Sequence, residues 1–224
     1  MKNNFKYVVK TPWDSRAFSI ETYEILTLSK EALEEAMTLR GHFTIKINPH
    51  SYQKILHDYG FYYCDTLIEP YCEFNRFIYF ENKRASLSYD VRLEDLIPIS
   101  HGAFYGRFHR DFNIPKHLAD LRYDLWLKDL VNEKNVFGLM FENDLAGFIG
   151  FSGHKMCLHA IHEKYRGRGL GKYLWGVACR ELYKRGHNEL VSSVSASNLP
   201  VLNLYSSIGF RFRKPLDIYH KLIE

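Results

Sequence analysis

Three glycines alternate with Arg168 and Leu170 in the stretch Arg166-Gly167-Arg168-Gly169-Leu170-Gly171, and this run restricts the local fold more tightly than anything else in the chain. The residues before it, Lys155 to Ile161, read as a strand, and Leu170, Leu174, Val177, Ala178 and Leu182 recur at helical spacing after it, with Gly186 as a C-cap. Glycine lets the backbone bend sharply and approach a ligand without interference from a Cβ. At such a strand-to-helix junction the first helical N–H groups have no partner within the helix and point into the bend, where the helix dipole favours an anion. Arg166, Arg168 and Lys172 add positive charge. The turn is suited to a phosphate or a pyrophosphate.

Two nucleotide motifs fail on spacing. A P-loop requires G-x-x-x-x-G-K-[ST], whereas Gly171-Lys172 is followed by Tyr173 and Arg166 stands five residues before Gly171. The dinucleotide fingerprint needs a wider final gap than Gly167, Gly169 and Gly171 provide, and an acid at the end of the next strand, where Ser192 and Ser193 stand instead.

Around the turn, the C-terminal half predicts a regular order. An amphipathic helix is expected over residues 116–132 behind Pro115. Val136 to Phe141 and Leu145 to Phe151 form a hairpin about Glu142-Asn143-Asp144. After the glycine turn and its helix come a strand over residues 188–194, a short helix opened by Pro200 and closed by Gly209, and closing strands through Tyr219. The polar stretch Glu81-Asn82-Lys83-Arg84 is taken as a boundary between residues 1–84 and 85–224. In the first part, Ser29 to Leu39 predicts a capped helix and Phe43 to Ile47 a strand. The run Ile55 to Tyr63 can be laid on Leu204 to Phe212: short helix, glycine, aromatic strand. Leu56 then falls opposite Tyr205, and no glycine-rich turn precedes it.

The net charge of +4 is too small to imply nucleic acid without clustering, and it is compatible with anionic small ligands. Cys64, Cys72, Cys157 and Cys179 lack metal-ligand spacing, so no metal and a reduced, cytoplasmic chain are expected. No apolar run approaches the roughly 20 residues of a membrane span. The opening Met1-Lys2-Asn3-Asn4-Phe5-Lys6 leads into no secretory signal. Sixteen Tyr and sixteen Phe promise ring-rich pocket walls, and exposed aromatics could pair two copies into a homodimer.

Arg166, Gly169 and Gly171 fill the [Q/R]-x-x-G-x-[G/A] signature of the GNAT acetyltransferase superfamily, and the chain resembles that superfamily in a second block as well. There, Asn198, Leu204, Tyr205, Gly209 and Phe210 match Asn-x-x-[small]-x-x-Leu-Tyr-x-x-x-Gly-Phe, with Val201 in place of the small residue. Glu163-Lys164 stands where a proline is common. An isolated R-G-R-G would serve as a tight turn or a basic nucleic-acid contact; two motifs in order, one helix and one strand apart, point to the coenzyme.

The resemblance implies an α/β (α+β) GNAT fold, with a mixed, largely antiparallel sheet flanked by helices, preceded by a smaller, degenerate GNAT-like half. It implies acetyl-CoA as co-substrate, held by backbone groups of His159, Ala160 and Ile161, by residues 166–172 (Arg166, Gly167, Arg168, Gly169, Leu170, Gly171, Lys172) and by Asn198. It implies Tyr205 as the acid that protonates the departing thiolate, a balanced transfer because phenol and thiol pKa values, about 10 and 8.5, lie close. For the base, His154 ranks ahead of His159, His162 and Glu142, with a water chain as the alternative.

Over its whole length the chain further resembles the dTDP-fucosamine acetyltransferase group, in Thr11-Pro12-Trp13-Asp14-Ser15-Arg16-Ala17-Phe18, in Gly106 to Pro115 followed by Tyr123 and Trp126, and in Asp217-Ile218-Tyr219-His220. That implies a nucleotide-linked amino sugar as the small-molecule acceptor, with Arg107 as an anion contact and Trp126 as a pocket wall. A peptide N-terminal acetyltransferase and a non-catalytic acyl-CoA- or RNA-binding module are the alternatives.

Overall fold

A computed structural model describes residues 5–224; the opening Met1-Lys2-Asn3-Asn4, where the expectation of no secretory signal begins, lies outside the described residues. In chain order the elements are β1 (Val8–Lys10), α1 (Pro12–Phe18), β2 (Thr22–Ile25), α2 (Lys30–Met37), β3 (Gly41–Ile47), α3 (Lys54–Asp58), β4 (Tyr62–Glu73), β5 (Ala85–Ser88), α4 (Leu93–Ser100), α5 (Lys116–Asn132), β6 (Val136–Phe141), β7 (Asp144–Ser152), β8 (Lys155–Ile161), α6 (Gly171–Lys184), β9 (Glu189–Ser192), β10 (Val194–Ser195), α7 (Leu199–Ser207) and β11 (Arg211–Ile223). Short 3-10 turns lie at Phe74–Arg76, Arg107–Arg110 and Glu163–Tyr165.

The chain forms two compact units. The first runs through Leu67 and regains Tyr105–Arg122 and Lys214–Glu224; the second holds Ile68–Phe104 and Tyr123–Arg213. The division therefore falls inside β4, not after Arg84. The polar residues at 81–84 are only a turn, in which Asn82 accepts from Arg84 N through its side chain and from Ala85 N through its carbonyl. The end of β4 belongs to the second unit because Tyr71, Cys72 and Glu73 pair with β9.

In the first unit the strands run β1-β2-β3-β11, with β2 and β3 parallel and β3 antiparallel to β11 from Ile47↔Asp217 to Gly41↔Ile223. Ser29 caps α2 by accepting from Ala32 N, as its sequence suggests, and the helix buries Ala32, Leu33 and Ala36 against Phe43, Ile45, Leu56 and Phe61. The register also puts His42 and His220 on one face: His220 pairs with Thr44, two residues from His42. Asp111 Oδ2 accepts from His42 Nε2 at 2.8 Å and from His220 Nδ1 at 2.7 Å, while Oδ1 accepts from Tyr62 Oη and Asn113 N, each at 2.8 Å. Arg122 Nε donates to Asp14 Oδ1 at 2.9 Å. These buried bonds tie residues 105–122 to the strands of their own unit.

In the second unit the strands run β4-β9-β8-β7-β6-β5, all neighbours antiparallel except β8 and β9. The sheet is mixed and largely antiparallel. Helix α6 buries Leu174, Trp175, Val177, Ala178, Cys179 and Leu182 against Phe137, Leu139, Ile149 and Met156. Helix α5, present at 116–132 as expected, contributes Leu127 and Leu130 to a second cluster with Leu96, Val136, Phe148 and Leu158.

The resemblance between runs 55–63 and 204–212 extends to hydrogen bonds. At the end of α7, Gly209 takes φ 95° and Phe210 N donates to Tyr205 O at 3.0 Å; at the end of α3, Gly60 takes φ 75° and Phe61 N donates to Leu56 O at 2.9 Å. Both are left-handed glycine stops that redirect the chain into a strand.

Candidate functional site

Strand β8 is the centre of the site. It pairs with β7 along its whole length, but with β9 only at Lys155↔Val191 and Met156↔Ser192. The register with β7 slips directly beyond that point, from Phe151↔Met156 to Gly150↔Leu158, leaving Cys157 as an extra residue. Such a bulge bends and twists a strand. Past the bulge, His159, Ala160 and Ile161 keep their ladder to β7 and carry none to β9, so an edge of backbone polar groups opens where the two parallel strands part.

At the C-terminal end of β8 the 3-10 turn leads into the glycine run. Gly167 and Gly169 adopt φ 71° and 69°, left-handed values that favour glycine. A Cβ built at either would meet nothing within 4 Å, so the space beside the bend is open. Leu170, the N-cap of α6, offers no side-chain hydrogen bond, and the first amides of a 14-residue helix face outward uncapped by any side chain. Arg166 braces the bend: Nε donates to Ile161 O at 2.7 Å and Nη1 to Gly102 O at 3.3 Å. Tyr165 Oη donates to Asp144 Oδ2 at 2.6 Å, which Lys164 also reaches at 3.0 Å. Arg168 lies 5.8 Å from the Tyr165 ring and Lys172 4.8 Å from that of Phe80. The result is an exposed, cationic bend with open space beside its glycines.

Gly171 has a different task. A Cβ there would stand 3.0 Å from the Leu204 side chain, so this glycine lets α6 and α7 pack closely. That contact sets Tyr205 of α7, fully buried, behind the opened strand. Tyr205 Oη lies 2.9 Å from His159 Nε2, which also lies 3.4 Å from Ser192 Oγ. Ser192 Oγ donates to Met156 O at 2.9 Å. The Trp175 ring meets His159 edge-on at 5.2 Å, and its Nε1 finds no partner among the described residues. Burial raises the Tyr205 phenol well above its ordinary value, so proton transfer to a thiolate is uphill rather than balanced as expected, and it pushes the His159 imidazole down to about 4, so His159 is neutral at pH 7. The family resemblance drew attention to the His159 backbone, and its side chain was a lower-ranked candidate base; its contact with Tyr205, and the presence of Ser192 and Trp175 beside it, come only from the fold.

The other expected site residues lie elsewhere or serve the framework. Asn198 caps α7, its Oδ1 accepting from Val201 N at 3.4 Å, which leaves its amide nitrogen available. His154 must be corrected as a candidate base: it sits exposed in the β7–β8 turn, about 16 Å along the strand from His159 at roughly 3.3 Å per residue. His162 caps the 3-10 turn by accepting from Lys164 N at 3.1 Å, and Glu142 turns the β6–β7 hairpin in an ion pair with Arg84. Trp126 packs half-buried against the Leu96 and Leu127 cluster of the second unit. Arg107 belongs to the first unit, where its N donates to Asp65 Oδ2 at 3.0 Å and its guanidinium lies 4.3 Å from the Phe108 ring.

His42, Asp111 and His220 are potential metal donors. Around a tetrahedral ion with bonds of about 2.0–2.1 Å, donors stand roughly 3.3 Å apart. Here the carboxylate oxygen lies 2.7 and 2.8 Å from the two nitrogens, which is the spacing of hydrogen bonds.

Residues 102–210, just under half of the chain, match the model of the acetyltransferase (GNAT) family. A 57-residue stretch is 37% identical to mycothiol acetyltransferase of Catenulispora acidiphila; it covers 25% of this chain and spans only 18% of that protein. A conserved protein of unknown function from Staphylococcus epidermidis superposes over 100% of this chain and 94% of its own, with TM-score 0.65 at 10% identity. A GCN5-related N-acetyltransferase from Sphaerobacter thermophilus does so over 97% and 76%, with TM-score 0.60 at 12% identity. A tandem GNAT protein from the clavulanic acid biosynthesis pathway covers 90% of this chain with 75% of its own, at TM-score 0.54 and 12% identity, in keeping with a two-part chain. On fold and matched residues together, this is a GNAT-fold protein whose residues 102–210 fit the acetyltransferase family.

Proposed function

We propose that the chain is an acetyl-CoA-dependent N-acetyltransferase whose acceptor is the amine of a nucleotide-linked amino sugar of the dTDP-4-amino-6-deoxyhexose type. The observation that carries the coenzyme is the open bend at Gly167 and Gly169 beneath the uncapped start of α6. The amides of residues 167–172, with Arg168 and Lys172, would hold the diphosphate. The stretch His159, Ala160 and Ile161, which carries no ladder to β9, and the amide nitrogen of Asn198 would hold the pantetheine arm. Acetyl-CoA supplies the activated thioester. Tyr205 gives a proton to the leaving sulfur, and the role of base passes from His154 to solvent or to a group near β8. The sugar-nucleotide acceptor rests on the resemblance in residues 11–18, 106–115 and 217–220, with Arg107 as the anion contact.

The first unit fits a degenerate copy of the second. It repeats the glycine stop but has Leu56, without a hydroxyl, where the second has Tyr205. The cysteine pattern supports work in the cytoplasm, and no helix among the described residues is long and apolar enough to cross a membrane.

Calorimetry with coenzyme A, followed by a thiol-release screen over amino-sugar nucleotides, polyamines and short peptides, tests the assignment. Micromolar binding and turnover of a dTDP-linked amine are expected. Absence of coenzyme binding removes the whole proposal, whereas turnover of peptides alone removes the acceptor.

A further inference from the structure

The contacts about His159 fix more than its position. A serine hydroxyl carries one proton, and that of Ser192 is committed to Met156 O at 2.9 Å. Towards His159 Nε2, at 3.4 Å, Ser192 Oγ therefore presents lone pairs, which an N–H would meet favourably and a nitrogen lone pair would oppose. That contact favours the hydrogen of the neutral ring on Nε2. The same N–H lies 2.9 Å from Tyr205 Oη, which then accepts from it. With one lone pair so engaged, the phenol's own proton points away from His159.

We infer that His159, as the neutral Nε2–H tautomer, is a positioning residue that holds Tyr205 with its proton directed at the leaving sulfur and stabilises the phenolate left behind. This rests on the acetyltransferase assignment. The amine nitrogen bonds to the acetyl carbon, the carbon–sulfur bond breaks with its electron pair on sulfur, and the Tyr205 proton goes to that sulfur. The phenolate regains a proton, through solvent, from the nitrogen that attacked. The sum is amide plus free thiol. An N–H already aimed at the phenol oxygen needs no reorganisation as charge develops there. His159→Leu removes the donor, while His159→Gln returns an N–H near the Nε2 position.

The test has two arms. In the first, nitrogen-detected NMR of the full-length protein, with no substrate present, reads the protonation of each ring nitrogen; the inference expects a protonated Nε2 on His159, and an unprotonated Nε2 overturns it. The second uses the amine turned over best in the screen. His159→Leu should lower kcat about 10- to 100-fold with the KM for acetyl-CoA within threefold. His159→Gln should recover most of the loss, and His159→Leu added to Tyr205→Phe should cost little further, because the two residues act as one unit. Full kcat in His159→Leu, or losses that multiply in the double variant, overturn the inference. If no amine is turned over, the acetyltransferase assignment fails, and the NMR arm still decides the tautomer.

Discussion

At the scale of single residues, the chain places polar groups where burial would be costly without partners, and each placement predicts a loss. Asp111 is buried, which alone would raise its carboxyl, yet hydrogen bonds from His220 and His42 hold it well below the usual carboxylate range. Asp111→Ala strands two imidazoles and the Tyr62 hydroxyl, and should destabilise by about 3 kcal/mol in urea unfolding, as breaking a buried charged network does. Tyr205→Phe removes only a hydroxyl. It should lower thiol release about 10²-fold, with little change in coenzyme affinity by calorimetry. Most of these partners were invisible to spacing: His42 and Asp111 are 69 positions apart, and His159 and Tyr205 are 46.

At the scale of elements, the glycine turn and helix α6 act together. Gly169→Ala leaves space untouched but forces an alanine to φ 69°, at a cost of about 1 kcal/mol for a left-handed non-glycine residue. Relief of that strain re-aims the amides, so coenzyme affinity should fall at least about tenfold (about 1.4 kcal/mol). The melting temperature should move by only a few degrees. An unchanged dissociation constant would mean that the bend does not hold the diphosphate. The strand-turn-helix order was legible here because glycine and apolar period are local signals. The bulge at Cys157 was not, since it appears only when β8 is laid against β7.

At the scale of the whole molecule, two buried imidazoles govern the response to acid. Burial lowers His220 to about 3 and His159 to about 4, against 6.5 for an exposed histidine. Between those values and 6.5 the unfolded chain binds protons that the folded chain does not, so stability falls as pH drops through that window. The limiting slope is about 1.4 kcal/mol per pH unit for each group. The depressed Asp111 adds a further loss below the unfolded carboxylate value of about 3.9. Melting temperatures should therefore decline from pH 7 to 4.5, and His220→Gln should flatten that decline. A profile flat from pH 7 to 4.5 in the unmodified chain would contradict burial of neutral imidazoles.

The amino-acid sequence alone determined helices α5, α6 and α7, the β6–β7 hairpin and the cationic glycine bend, because each depends on neighbours within a few residues; it did not reveal α4. Only the tertiary structure decided where the units divide, that β8 parts from β9 beyond its bulge, that His154 lies at the wrong end of its strand and that His159 faces Tyr205. Those outcomes depend on strand register and helix packing between distant segments. Local periodicity carries no information about them, since the same alternating pattern is compatible with several partners.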